Sequence, residues 1–434
     1  MKQLLKKEMQ EIKIPYNKEK MKIFLVTVIT FSIVHFELYA LMITGPDTLL
    51  NSIYHQADVW EIMLLRFGLY FIQMIKGNIV SPILASIISS ILLGITVILV
   101  IEILEIKNKY FKYITGIIFA VAPNISATLT FFYCSDAYIL GMLLATIAVL
   151  VIKKYKNKKW AIPLAGLMIA LSMGIYQTYI SVTMVLCIAT LIIDALNKQD
   201  KKQIFKNLWK YIIIGILGIT MFYALSHTAL LIRGVPASGY SGANEIGLST
   251  LKKFPELLPQ SYKSFLNYYF NDEMIPNTIW HTNLIYIIIF GVMTIALIHI
   301  IIKNKVYEKK TNTCLAIIYI ILAPICFGII EIMVPDVDIH ILMACSMIYI
   351  FPIFFKILEL QQKTNCTNII KYVIIIASII ITWNYTWQDN ASYIAIKTMQ
   401  NQSIATSERI ITRNRKFRWL YSRNASSIFR RIRK

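Results

Sequence analysis

Few side chains in this sequence could do chemistry, and most of them interrupt long apolar runs. Asp136 sits where one run ends and another begins, in FFYCSDAYILGMLLA, and Gln177 occupies a second junction, in LSMGIYQTYIS. Asp47, Asp336, Asp338, Arg233 and His340 also lie at or beside run ends. Polar groups at such depths are expensive in lipid, so they mark candidate sites. A carboxylate among them could act as general base on a hydroxyl. Arg66, Lys76 and Arg233, the cations nearest these runs on the same side, could hold a phosphate. There is no Walker motif, no GxGxxG after a strand, no HExxH and no GxSxG. The six cysteines are scattered without CxxC or metal-ligand spacing and read as small buried residues. No cofactor is implied. A divalent cation shared by Asp47 and Asp136 is compatible with the residue types, but no ligand spacing demands one.

The elements that must position these residues are membrane spans. Of 434 residues 57% are hydrophobic and only 15% charged, with mean hydropathy +0.61. Apolar runs of spanning length recur, which predicts an all-α polytopic membrane protein of about eleven transmembrane helices. The spans are expected near 21–43, 79–105, 111–132, 135–152, 160–176, 177–196, 209–232, 281–302, 313–333, 338–358 and 368–387. Residues 1–20 form a cytoplasmic N-terminal segment, 21–387 one transmembrane domain, and 388–434 a basic C-terminal tail. The first apolar run follows a lysine-rich stretch and reads as a signal anchor. Residues 44–78 mix Asp47, Asp58, Glu61 and Arg66 with aromatics and predict one or two interfacial helices. In the loop 233–280, Leu251, Phe254, Leu258, Tyr262, Phe265 and Tyr269 recur at helical spacing, predicting an amphipathic helix on the membrane.

Lysines set the orientation. With the N-terminus in the cytoplasm, every cytoplasmic loop is basic: Lys107 to Lys112, the 153–159 cluster, 197–210, 303–310 and 356–371. An odd span count puts the C-terminus outside. Fourteen of the twenty-three Asp/Glu then fall toward the outer side, Asp47, Asp58 and Asp136 among them. The segment 409–434 carries ten Lys/Arg and no Asp/Glu, and no recognised nucleic-acid-binding motif accompanies it. The net charge of +21 is explained by the loop lysines and this tail.

Each candidate also has a plain structural reading. Ser135 or Asp136 could cap the following helix, as could Asp47, Asp336 and Asp338. Gln177 could be solvated at a hairpin tip, and Arg66, Lys76 and Arg233 could snorkel to headgroups. Tyr138, Tyr176 and Tyr179 fit the aromatic belt. The outer face has no supply of nucleotide sugars, so an enzyme there would need a lipid-linked substrate. A transporter or flippase of lipid-linked saccharides would use the same polar cavity without chemistry.

The string Ser135-Asp136-Ala137-Tyr138 opening one span, and Gly174-Ile175-Tyr176-Gln177-Thr178-Tyr179 at the next outer hairpin, resemble the bacterial Gtr-type II glucosyltransferase family. The glycine-rich loop after Arg233 and NYTWQDNASY at 384–393 resemble it too. The likeness covers roughly 40–410 and implies a GT-C-like architecture. It implies transfer of a glucosyl or other hexosyl residue from a polyprenyl phosphate, of which undecaprenyl phosphate is the implied carrier, to a cell-surface glycan. Inversion at the anomeric carbon is implied as well. The reaction would take place on the outer face of the bacterial cytoplasmic membrane. The family's essential acid lies in the first outer loop, where Asp47 stands, with Asp58 as the other choice for the base. On that reading Asp136 orients the acceptor or the base. Gln177 and Tyr179 line the sugar pocket, Arg66 and Arg233 hold the donor phosphate, and Tyr138, His340 and Asp58 count among the substrate-binding residues.

Overall fold

Apolar runs bounded by lysines become helices because every backbone polar group must be satisfied within its own segment when lipid surrounds it. The computed structural model describes residues 17–44, 58–77, 80–239, 248–271, 282–333, 339–362 and 364–432. Among these residues there are helices and no strand. Asp47, Asp336 and Asp338 lie outside the described residues, as does most of the glycine-rich stretch after Ser238.

Chain order begins with α1 (Lys18–Val34), α2 (Phe36–Ala40), α3 (Val59–Met63) and α4 (Phe67–Lys76). Then come α5 (Pro82–Leu104), α6 (Lys109–Val121), α7 (Pro123–Leu129), α8 (Ser135–Lys154) and α9 (Ala161–Ile175). They are followed by α10 (Ile180–Leu196), α11 (Lys201–Arg233), α12 (Leu248–Phe270) and α13 (Thr282–Lys303). The chain closes with α14 (Lys310–Phe327), α15 (Ile329–Met333), α16 (Ile350–Glu359) and α17 (Asn365–Ile432).

Among the described residues eight helical stretches are long and apolar enough to cross a membrane. Three expected spans take other forms. The first is divided at His35, whose buried ring is held by Tyr393 Oη (2.7 Å) and the Ala120 carbonyl (2.7 Å). The expected run 111–132 is broken at Pro123, which opens α7 instead of continuing α6 because it has no N–H to give. The run 160–176 is α9, of 15 residues.

Lipid offers helices no hydrophobic reason to associate, so close contact falls to small residues. Where α9 meets α11, a Cβ on Gly218 would lie 2.5 Å from Ile169 and 3.3 Å from the Gly166 carbonyl. The centre of the bundle is α8 and α10, whose sides are almost wholly covered by protein. Helix α12 is amphipathic as expected, and protein receives much of its apolar face: Leu257, Phe265, Tyr268 and Tyr269 are buried. Cys314 is exposed, contrary to the expectation for all cysteines, because it lies on an outward face of α14. Helix α17 continues unbroken from the last apolar run into the basic segment.

Candidate functional site

The bundle has one end where the lysine-rich loops gather and an opposite end where α8 begins. At the second end α4 lies against the top of α9. The reason is sequence: Gly68 and Gly174 face each other, and a Cβ on Gly68 would sit 3.0 Å from the Gly174 carbonyl carbon. A Cβ on Gly174 would lie 2.4 Å from the Phe67 ring. Only with hydrogen at both positions can α4 come this close.

Helix α4 carries Lys76 in its last turn, where a cation suits the helix dipole. Its ammonium pairs with Asp136 Oδ1 at 2.6 Å and donates to the Tyr133 carbonyl at 3.1 Å. Asp136 is in the first turn of α8, 5% exposed, and its Oδ1 also takes the Ala137 N–H (3.0 Å). The expected cap is thus partly realised, since Asp136 serves the helix start. Its charge is met mainly by Lys76, a residue that sequence reasoning had placed only among the outward cations. The available signal was the run Arg66, Leu69, Gln73, Lys76, which puts both cations on one face of a helix.

Arg66 precedes α4. The chain leaves α3 through Leu65 in the left-handed region (φ 61°), with Arg66 N–H bonded back to the Glu61 carbonyl (2.7 Å). That conformation costs about 1 kcal/mol for a residue with a side chain. Gln177 fastens this turn, its Nε2 donating to the Leu64 carbonyl at 2.7 Å. The Arg66 guanidinium lies 4.7 Å over the Tyr176 ring, and Tyr176 stacks on Tyr138 at 5.1 Å. No carboxylate among the described residues pairs with Arg66, and its buried Nε has no hydrogen-bond partner there. Ten residues of helix span about 15 Å, so Arg66 and Lys76 bracket the segment 133–138 from two sides.

The other expected site residues are distributed as follows. Tyr179 is 1% exposed, its ring laid on Gly141, so it packs the hairpin and offers no face to a ligand. Tyr138 is likewise buried. Asp58 is exposed and caps α3, taking the Val59 N–H while Glu61 takes its own. Arg233 ends α11, stacks over Tyr70 of α4 at 4.9 Å and donates to its hydroxyl. His340 is exposed at the start of the segment 341–344, whose Met343 carbonyl takes the Thr178 hydroxyl (2.6 Å). The structure therefore brings Asp136, Lys76, Arg66, Tyr138 and Gln177 together, with Arg233 on the neighbouring face of α4. It gives Asp58 and His340 no contact with that group.

Thr44 donates its hydroxyl at 2.9 Å to the carbonyl of Thr130, three residues before Tyr133. Among the described residues no cluster of three His, Cys, Asp or Glu side chains could hold a metal ion. The arrangement can do two things chemically. It offers a guanidinium with unused donors beside an aromatic stack, and a lysine held by a buried carboxylate.

No curated protein and no solved structure gives a match to the chain. A family model described as Glucosyl transferase GtrII matches residues 59–351, a stretch that holds Arg66, Lys76, Asp136, Gln177 and Arg233. That match covers more than half of the chain, which therefore belongs to the GtrII glucosyl transferase family.

Proposed function

We propose that this protein transfers a glucosyl, or similar hexosyl, residue from a polyprenyl-phosphate sugar to a cell-surface glycan. The reaction takes place at the Asp136 end of the bundle, facing outward from the cytoplasmic membrane. The observation that carries the reading is the bracket around 133–138, with Lys76 paired to buried Asp136 on one side and Arg66 on Tyr176 on the other. A sugar phosphate needs cations for its phosphoryl oxygens and an aromatic surface near its ring.

In this reading the acceptor hydroxyl oxygen bonds to the anomeric carbon while the bond from that carbon to the phosphate oxygen breaks. The hydroxyl proton passes to a carboxylate, and the polyprenyl phosphate leaves with both electrons of the broken bond. Arg66, with Arg233 beside it on Tyr70, meets the growing charge on that phosphate. Asp136 is spoken for by Lys76, so it serves as a positioning residue. Asp47 remains the proposed base. In support, Thr44, three residues before it, is bonded to Thr130 in the segment that leads to Asp136.

The test uses purified protein in detergent with a polyprenyl phosphate carrying a labelled sugar. Label should appear in the glycan with wild type and fall by about 1000-fold with Asp47→Asn, the loss of a general base. Full transfer by that variant would remove Asp47 from the role. Movement of the intact lipid-linked sugar across a vesicle membrane, without transfer, would favour a flippase.

A further inference from the structure

Arginine is used unlike lysine in this chain. There are 34 lysines and ten arginines; two of the arginines are Arg66 and Arg233, and the other eight lie between 409 and 433. The positive-inside rule counts the two residue types alike, so topology does not account for the separation. What arginine adds is a planar fork of donors that matches phosphate and carboxylate oxygens two at a time.

Seven of these eight arginines belong to α17, and α17 leaves the bundle at the Asp136 end. Its last buried residue before 416 is Tyr393, bonded to His35, and the Lys397 ammonium donates to the Leu41 carbonyl (3.1 Å). Beyond that, every residue from 401 to 415 is exposed. The helix contains neither Gly nor Pro along its whole length, the commonest causes of a sharp kink. A continuous helix that spans the bilayer cannot also lie flat on it. At 1.5 Å per residue Arg409 stands about 24 Å and Arg415 about 33 Å beyond Tyr393. The screening length at physiological salt is about 8 Å, so the arm's charge is spent on something in solution above the site.

We propose that the basic arm of α17 binds the acceptor, and that the acceptor is a phosphate-bearing glycan or polyol polymer. This rests on the glycosyl-transfer reading above and names the acceptor class for the same site. Arginines along a rigid helix give a flexible polyanion successive contacts. The neighbouring hydroxyls of the polymer are thereby held near the residues that bracket 133–138.

The test places the full chain in nanodiscs of uncharged lipid and titrates it with fluorescent poly(glycerol phosphate), with dextran as the uncharged control. A triple variant, Arg409→Gln, Arg413→Gln and Arg415→Gln, changes three exposed side chains. It should weaken polymer binding by about tenfold or more and flatten the salt dependence of what remains, as lost phosphate contacts do. Its KM for the polymer acceptor should rise with the lost binding, while its KM for the lipid-linked donor stays at the wild-type value. Unchanged polymer binding by the triple variant would overturn the proposal. So would its loss of binding to phosphatidylglycerol vesicles with polymer binding intact, which would assign the arm to a lipid surface. Polymer binding without any sugar transfer by wild type would sink the transfer reading and leave the arm standing. Transfer without polymer binding would do the reverse.

Discussion

The two ends of the bundle handle charge differently. At the lysine-rich end, Lys20 meets Glu102 (2.6 Å), Lys112 meets Glu19 (3.0 Å) and Lys153 meets Glu105 (2.7 Å). Glu359 adds a clasp on the loop before α6, taking the Asn108 N–H at 2.6 Å. These three pairs are partly open to water and fasten helix ends to each other, while Lys356 and Glu359 at the same end are covered but only 4.0 Å apart, a looser pairing than 2.6 Å. At the other end one ion pair stands among the described residues, and its carboxylate is buried. Desolvating a carboxylate costs several kcal/mol that its partner only partly returns. An exposed pair is a cheap fastening; a buried one is a poor way to gain stability and a good way to fix one lysine in one place.

That contrast is most exposed to failure at Lys76 and Asp136. Asp136→Asn and Lys76→Met should each lower transfer by about 100-fold, since a misplaced binding group costs on that order. The double variant should be no worse than either single one, because both remove the same unit. In a thermal-unfolding cycle the coupling should reach about 3 kcal/mol, the usual penalty for stranding one partner of a buried pair. Additive losses in activity would show two separate contributions and break the comparison.

A smaller effect is expected from the glycine contact that sets α4 in place. Gly174→Ala drives a methyl into the Phe67 ring, and overpacking of this kind costs about 1–3 kcal/mol. Transfer should fall about tenfold, and pairing the change with Phe67→Leu should recover part of it. A change at Gly218, in the α9–α11 contact away from the ion pair, should lower stability without a selective loss of activity. If both glycines cost activity equally, the site depends on the bundle as a whole rather than on α4.

How much of this could be read in the sequence follows the same division. The lysine-rich end was legible because its signal is local: a loop between two apolar runs declares its side by composition. Asp136 and Gln177 were legible as polar groups at run ends, and Arg66 as a cation at the same end of the bundle. Lys76 was seen but not joined to Asp136. Sixty residues separate them, and what joins them is a Gly68–Gly174 contact that no periodicity reports. The place of Tyr179 in the GIYQTY string says nothing about which way its ring points, and the ring lies buried on Gly141. The break at Pro123 was visible in the sequence and was outweighed by the apolar run on either side. That α17 continues past the membrane was hidden because polar helix and polar tail have the same composition when no apolar face is required.

Arg66 gives a gentler test of the site end. Arg66→Lys keeps the charge and loses the fork and the broad stacking face on Tyr176. The KM for the donor should rise about tenfold, equivalent to about 1.4 kcal/mol, with kcat nearly unchanged. Arg66→Gln should raise it further. A fall in kcat with KM constant would instead mean that Arg66 acts in the transition state alone.

The smallest effect belongs to the lysine-rich end and completes the comparison. The Lys153–Glu105 pair has side chains 31% and 62% exposed, so water already screens it. Lys153→Met and Glu105→Gln, alone and together, should give a coupling below about 1 kcal/mol, the range of exposed pairs. Transfer should match wild type in all three variants, because neither residue has a contact that leads to α4. The cycle should also lose its coupling in high salt, while the Lys76–Asp136 cycle should keep most of its own, since a buried pair is screened far less. Equal salt sensitivity at the two pairs would mean that water reaches Asp136 as freely as Glu105. The buried pair would then be one more fastening and no longer a reason to place the chemistry at that end.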